Sequence, residues 1–115
     1  MIKQYLNNKK LTMITFDKTE FDLGNIKYGE TVTVTAIVTN TNSVPVSLST
    51  TNASCSCTTG QVEYSTLNPN SKSEFKITFN SNKSGRGTQV KSINLDYTID
   101  RVTKSKTFRI KANVI

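Results

Sequence analysis

The chain has 115 residues, no histidine and a formal net charge of +7, from 15 Lys and Arg against 8 Asp and Glu. This length fits one domain, and the lack of histidine excludes Ser–His and Cys–His nucleophilic dyads and the usual proton shuttle at neutral pH. The positive side chains are scattered singly among Ser, Thr and Asn, with no long basic run and no aromatic-plus-basic motif. We therefore expect a solvated basic surface rather than specific nucleic-acid recognition.

Residues 1–10 are polar and lack periodicity, so we assign them to an N-terminal extension outside a sandwich domain at residues 11–115. The extension is either a frayed terminus or a docking arm that combines apolar anchors with positive charge. The candidate partner-binding residues of this arm are Lys3, Tyr5, Leu6, Lys9 and Lys10. Because the extension has no apolar segment followed by a small-residue cleavage site, we expect no export signal. The expected compartment is a reducing cytoplasm, in which both cysteines are free thiols.

Alternation with a period of two begins at Leu11 and predicts the first three strands. The first covers residues 11–16, and a short second one at 21–26 breaks at Gly24. A turn follows in which Gly29 can take a positive φ. Thr31–Asn40 alternates most clearly, with one apolar face and one face of mostly hydroxyl groups. The predicted core residues of this strand are Val32, Val34, Ala36 and Val38.

The second half of the chain alternates in the same way. Its predicted strands are residues 44–49, 60–64, 74–79, 90–99 and 103–114. Pro69 marks a strong turn, and Asp100-Arg101 is placed to close a hairpin. The flexible loop that contains Arg86 is a candidate partner contact, although such a loop is more often a mobile hairpin end. With no apolar stripe of helical period, the pattern predicts an all-β fold, an antiparallel β-sandwich of about seven strands.

Cys55 and Cys57 admit three interpretations. If the stretch is extended, residues i and i+2 lie ~6.6 Å apart with parallel side chains, which is too far for a disulfide. A structural zinc ion needs four ligands, and a chain with two cysteines and no histidine would need a second chain to supply them. We favour the third interpretation, in which both cysteines are small hydrophobic residues packed inward, with Ser54 and Ser56 outward.

The acidic residues Asp17, Glu20 and Asp22 could form the paired carboxylates of a hydrolase. They lie in a turn near a strand end, however, where acids usually serve as turn or cap residues. We therefore assign no catalytic, cofactor-binding or metal-binding residue, and we expect a protein that is not an enzyme and holds no cofactor.

Several motifs, in order, resemble a bacterial immunoglobulin-like domain of unknown function with a Cys-x-Cys motif, a family related to abnormal-spindle/hydin-type and major-sperm-protein-like sandwiches. Residues 21–30, FDLGNIKYGE, are similar to its F-D-F-G-x-I-x-x-G-E opening, and residues 53–59, ASCSCTT, are similar to A-S-C-G-C-T. Ser56 replaces the usual glycine. The resemblance covers about residues 12–114 and implies an immunoglobulin-like sandwich. The residues assigned a structural role are Gly24, Gly29, Cys55, Cys57 and Pro69.

The resemblance implies scaffolding or protein interaction, because the family has no assigned activity. Its members commonly follow an export signal, so a copy without one suggests a phage virion protein, assembled in the host cytoplasm and decorating a capsid or neck. Positive charge would help such a protein dock on acidic capsid faces through its tail, its loops or a sheet edge. The alternative is a protein-binding module of the bacterial cell envelope or periplasm whose signal was lost. A third interpretation is a basic nucleic-acid-binding sandwich, and neither a membrane nor a small-molecule substrate is expected.

Overall fold

A computed structural model of the protein describes residues 14–50 and 53–115. The predicted extension at 1–10, its candidate partner-binding residues and residues 11–13 of the predicted first strand lie outside the described residues. Nine strands occur within the described ranges. They are β1 (Ile14–Phe16), β2 (Glu20–Ile26), β3 (Thr31–Asn40), β4 (Val46–Thr50), β5 (Thr58–Val62), β6 (Thr66–Leu67), β7 (Lys72–Asn80), β8 (Gly87–Ile99) and β9 (Val102–Val114). A short 3-10 helix at Ser81–Lys83 leads from β7 towards β8.

The strands form two sheets that pack face to face. One sheet has the order β1-β3-β7-β5 and the other β2-β9-β8-β4-β6. The prediction of a sandwich is confirmed, but the expected number of about seven strands is too low. The two-residue strand β6 is too short to show any alternation in the sequence. The expectation of purely antiparallel pairing is also wrong at one place, because β2 runs parallel to β9, with Phe21 opposite Ile110.

The core lies between the inner faces that the alternation predicts. Ala36 and Val38 of β3 are fully buried, while the hydroxyl residues beside them are more exposed. The predicted inward phenylalanines of β7, Phe75 and Phe79, are fully buried, and the Phe75 ring meets the edge of the Phe108 ring at a centroid distance of 5.0 Å. Alternation alone therefore identifies the correct face of these long strands, because one face of each contacts the opposite sheet.

Three of the predicted structural residues occupy turns or bulges. Gly24 has φ +67 and lies at a register shift between β2 and β9, so the expected break in β2 is a bulge within a continuous strand. Gly29 has φ +99 in a turn that the Glu30 N–H closes on the Lys27 carbonyl at 2.9 Å. Pro69 precedes Asn70 (φ +60) in a turn of the kind that combines proline with a left-handed third residue.

The long hairpin of β8 and β9 has the predicted turn at Asp100-Arg101, and both turn residues have positive φ. Such left-handed pairs match the twist of the flanking strands in two-residue hairpins. Across the two described ranges, no helix combines the length and the apolar character needed to cross a membrane.

Candidate protein-interaction site

The two cysteines lie in a turn, residues 53–57, which we call the cysteine turn. Its backbone is not extended, because the Thr58 N–H donates to the Cys55 carbonyl at 3.1 Å and closes a turn. The Cα atoms of Cys55 and Cys57 are consequently 5.1 Å apart, and their sulfur atoms form a disulfide. The expectation of free thiols is therefore wrong. The geometric objection to a bridge assumed an extended stretch, and the turn brings the two side chains together.

The cysteine turn is attached to β8 and to the core. The Ser54 N–H donates to the Ser92 carbonyl at 2.9 Å, and the Ser92 N–H donates to the Ser54 hydroxyl oxygen at 2.9 Å. Cys57 is only 1% exposed, and the half-buried Cys55 packs against the same core, while Ser54 and Ser56 face solvent. The predicted inward packing of both cysteines is thus confirmed, although as a bonded pair.

An aromatic and a positive side chain meet at the end of the sandwich where β2 leads into β3. The guanidinium of Arg86 lies 4.7 Å from the centroid of the Tyr28 ring, and the Tyr28 hydroxyl donates to the Asn82 carbonyl at 3.2 Å. The Tyr28 N–H also donates to the carbonyl of Ile115, a residue that is 55% exposed. We call Tyr28, Asn82, Arg86 and Ile115 the Tyr28–Arg86 cluster.

The buried hydroxyl of Ser81 fixes the loops that carry this cluster. It accepts a hydrogen bond from the Gly29 N–H at 2.8 Å and lies 2.8 Å from the Glu30 carbonyl, to which it donates. The Ser81 N–H also donates to the Glu30 carbonyl, at 3.0 Å. These bonds join the turn after β2 to the loop after β7, so Tyr28 and Arg86 are held together although 58 positions separate them in the sequence.

The predicted candidate residue Arg86 thus belongs to an ordered cluster, whereas the sequence analysis did not identify Tyr28. A tyrosine after a lysine in a turn gives no sign of the loop that will pack beside it. Tyr28 is 39% exposed, so its ring offers one face to Arg86 and keeps part of its surface open to solvent.

Two of the acidic residues have structural roles of the kind expected. A carboxylate oxygen of Asp17 accepts a hydrogen bond from the Ile37 N–H at 2.6 Å, and one of Asp22 accepts from the Gly24 N–H at 2.9 Å. Glu20 lies in β2 opposite Arg109 of β9. Within the part of the chain that the structure describes, no group of three or more His, Cys, Asp or Glu side chains is arranged to hold a metal ion.

A family model described as "Protein of unknown function (DUF1573)" matches residues 14–114 of the chain. No curated protein matches the chain in sequence. The proposed kinship with hydin-type and major-sperm-protein-like sandwiches stays a prediction.

Solved structures share the fold at low sequence identity. The ASH/PapD-like domain of human CEP192 is 14% identical with a TM-score of 0.69, covering 90% of this chain and 86% of that one. A protein of unknown function from Porphyromonas gingivalis W83 is 17% identical with a TM-score of 0.69, covering 88% of this chain. The E. coli chaperone DraB is 11% identical with a TM-score of 0.60, covering 89% of this chain. The chain spans 46% and 55% of the latter two chains. These likenesses establish an immunoglobulin-like β-sandwich fold.

Proposed function

The chain belongs to the family described as "Protein of unknown function (DUF1573)", and we propose that it is a non-enzymatic module that binds another protein through the Tyr28–Arg86 cluster. The observation that carries this proposal is the stacking of the Arg86 guanidinium on a partly exposed tyrosine ring. Tyrosine and arginine are over-represented among the residues that dominate the energetics of protein interfaces.

The order of the cluster also supports a binding role. The Tyr28 hydroxyl donates a hydrogen bond to the Asn82 carbonyl, and the Ser81 hydroxyl joins the turn after β2 to the loop after β7. A side chain that is already held in one geometry loses less conformational entropy when a partner covers it, so more of the contact free energy contributes to affinity. The exposed Ile115 beside Tyr28 adds apolar surface next to the charged group, which is a usual combination in interface centres.

Two settings for this binding differ in their chemistry. The Cys55–Cys57 disulfide favours an oxidising compartment, such as the periplasm or cell surface, and hence a cell-envelope module. The net charge of +7 favours docking on an acidic surface, such as the capsid or neck of a phage particle, with the protein as a capsid-decorating or auxiliary component. In both settings the partners are structural proteins rather than nucleic acid, lipid or a small molecule.

The setting is tested by mass spectrometry of periplasmic, cytoplasmic and purified phage-particle fractions, after alkylation of free thiols. An unalkylated Cys55–Cys57 peptide in the periplasm supports the envelope module. A fixed ratio to the major capsid protein in particles supports the virion component. A fully alkylated protein found only in the cytoplasm contradicts both.

The binding role is tested with the partner that is cross-linked to the protein in its native fraction and identified by mass spectrometry. Tyr28→Ala and Arg86→Ala should each weaken binding of that purified partner by about thirtyfold or more, the size of an interface hot spot. Tyr64→Ala is the matched control, because Tyr64 is a 54% exposed tyrosine outside the cluster. Unchanged affinity in both cluster variants would contradict the proposal.

A further inference from the structure

Along one side of β9, about half of the strand has no neighbouring strand among the described residues. Strand β8 pairs with all of β9, from Val102 to Val114, whereas β2 pairs with β9 only from Arg109 onwards. The segment from Val102 to Phe108, which we call the β9 edge, therefore has β8 on one side only. A sheet edge of this length is a template for an additional strand.

The register of the hairpin determines which backbone groups point outward from the β9 edge. Ile99 and Val102 flank the two-residue turn and form a hydrogen-bonded pair. In an antiparallel ladder every second residue from Val102 onwards therefore directs its backbone N–H and C=O groups towards β8. Arg109 belongs to the other set of alternate residues, and its backbone N–H donates to the Thr19 carbonyl at 2.9 Å, on the side away from β8. The outward backbone groups of the β9 edge consequently belong to Thr103, Ser105 and Thr107.

The side chains of the same three residues bind the edge to β8. Hydrogen bonds across the hairpin join Thr103 to Thr98 at 2.8 Å and Thr107 to Asn94 at 2.8 Å, and the Ser105 hydroxyl donates to a carboxylate oxygen of Asp96. Three consecutive cross-strand pairs fix the backbone direction before any partner arrives, so adding a strand requires little ordering of the edge.

The charge of the β9 edge selects the kind of strand that fits. Lys104 and Lys106 are exposed on it. The turn at one end carries both Arg101 and the exposed Asp100, and near the other end Lys18 lies between the exposed Asp17 and Glu20. The net positive charge of the edge therefore comes from its two lysines. Residues 1–13 of the chain contain three lysines and no acid, and a second copy paired through its own β9 would bring Lys104 and Lys106 next to the same lysines. Like charges on neighbouring strands are unfavourable, which disfavours both of these occupants.

We propose that the β9 edge binds an extended acidic segment of a partner protein by strand addition. Backbone N–H and C=O groups of Thr103, Ser105 and Thr107 would form the ladder, and Lys104 and Lys106 would attract carboxylates on the added strand. This inference rests on the proposed protein-binding function and names a second contact of the same module, away from the Tyr28–Arg86 cluster.

The test uses isotope-labelled full-length protein and a capped seven-residue peptide, Val-Glu-Thr-Glu-Val-Glu-Thr, with a matched peptide in which Lys replaces each Glu. The acidic peptide should slow amide hydrogen exchange at Thr103, Ser105 and Thr107. The amides of Lys104 and Lys106 already bond to β8 and should change little. Equal protection by the basic peptide, or no protection of the three outward amides at millimolar acidic peptide, overturns the proposal.

The Ser105→Pro variant removes one outward N–H without breaking the ladder to β8, because proline is tolerated where an edge N–H faces solvent. This variant should bind the acidic peptide about tenfold or more weakly than wild type. Ser105→Ala loses the same hydroxyl bond to Asp96 but keeps the N–H, and it should stay within about threefold of wild type. Equal affinity of Ser105→Pro and Ser105→Ala overturns strand addition, with circular dichroism confirming that both are folded.

The two proposals fail in distinguishable ways. If the purified partner binds Ser105→Pro as tightly as wild type but loses affinity for Tyr28→Ala, the β9 edge is not the contact and the proposed function stands. If the acidic peptide protects the edge while neither Tyr28→Ala nor Arg86→Ala affects partner binding, the function assigned to the Tyr28–Arg86 cluster fails instead.

Discussion

Replacement of Gly60 by alanine tests how closely the backbone of β5 packs against the side chains of Ile93 and Phe75. A Cβ atom at Gly60 would lie 2.7 Å from Cδ1 of Ile93, 2.7 Å from Cε1 of Phe75 and 2.9 Å from its Cζ. Carbon atoms pack best at about 3.5–4.0 Å, so the new methyl group would overlap both side chains by nearly an ångström. The Phe75 ring is fully buried and Ile93 is 3% exposed, which leaves little space for either to move.

The expected cost follows from two opposing terms. Inserting a methyl group into a filled core costs about 1–3 kcal/mol, and the reduced freedom of the unfolded chain returns about 0.4–1 kcal/mol. Taking the midpoints of the two ranges, about 2 and about 0.7 kcal/mol, Gly60→Ala should lower the free energy of unfolding by about 1.3 kcal/mol, measured by urea denaturation. Gln61→Ala, at the exposed neighbouring position, is the control and should change it by less than about 0.5 kcal/mol.

A second substitution identifies the cause of the loss. Ile93→Val removes the Cδ1 atom and alone costs about 0.5–1.5 kcal/mol. In combination with Gly60→Ala it makes room for the new methyl group, so the double variant should lose at least about 0.5 kcal/mol less than the sum of the single variants. Strict additivity, or a Gly60→Ala protein as stable as wild type, would refute the packing argument.

Two further predictions concern buried polar and covalent links. Asn40 is fully buried, and its amide donates to the Val44 and Leu67 carbonyls at 2.8 and 2.9 Å. Asn40→Ala should therefore lower the free energy of unfolding by about 3 kcal/mol or more and the thermal midpoint by roughly 12 °C or more. A fall in the midpoint of under about 4 °C would contradict this role. Reduction of the Cys55–Cys57 disulfide opens a loop of only three residues, so the urea unfolding free energy should fall by about 1.5 kcal/mol. A loss above about 3 kcal/mol would mean that the cysteine turn holds β8 more strongly than its loop size implies.

The parts of the fold that the sequence predicts are those where burial repeats every second residue. Thr31–Asn40 contacts the opposite sheet along one face, and its predicted bounds and core face are both confirmed. The bounds of β5, Thr58–Val62, lie two residues before the predicted ones, because Gly60 packs in the core without contributing an apolar side chain to the pattern. Parallel pairing of β2 with β9 is a tertiary choice between distant segments, and alternation contains no information about strand direction.

The candidate site was less predictable, because it depends on contacts between loops. The disulfide exists because a single turn shortens the distance between Cys55 and Cys57, and that turn has no glycine or proline to signal it. Arg86 could be named as a candidate from its loop. Its contact with Tyr28, however, depends on the buried Ser81 hydroxyl, which joins two loops that are distant in the sequence. Likewise, the β9 edge is defined by where β2 stops pairing, which only the three-dimensional register reveals.

The pairing of β2 with β9 also determines when the protein can fold during its synthesis. Glu20 of β2 pairs opposite Arg109 of β9, so its ladder partner is made after about 90 more residues, or ~4–18 s later at typical elongation rates. Until then Phe21 and Ile26, which are buried in the finished protein, lack the strand that covers them. The second sheet therefore cannot be completed before β9 has been synthesised, however early the rest of the chain emerges.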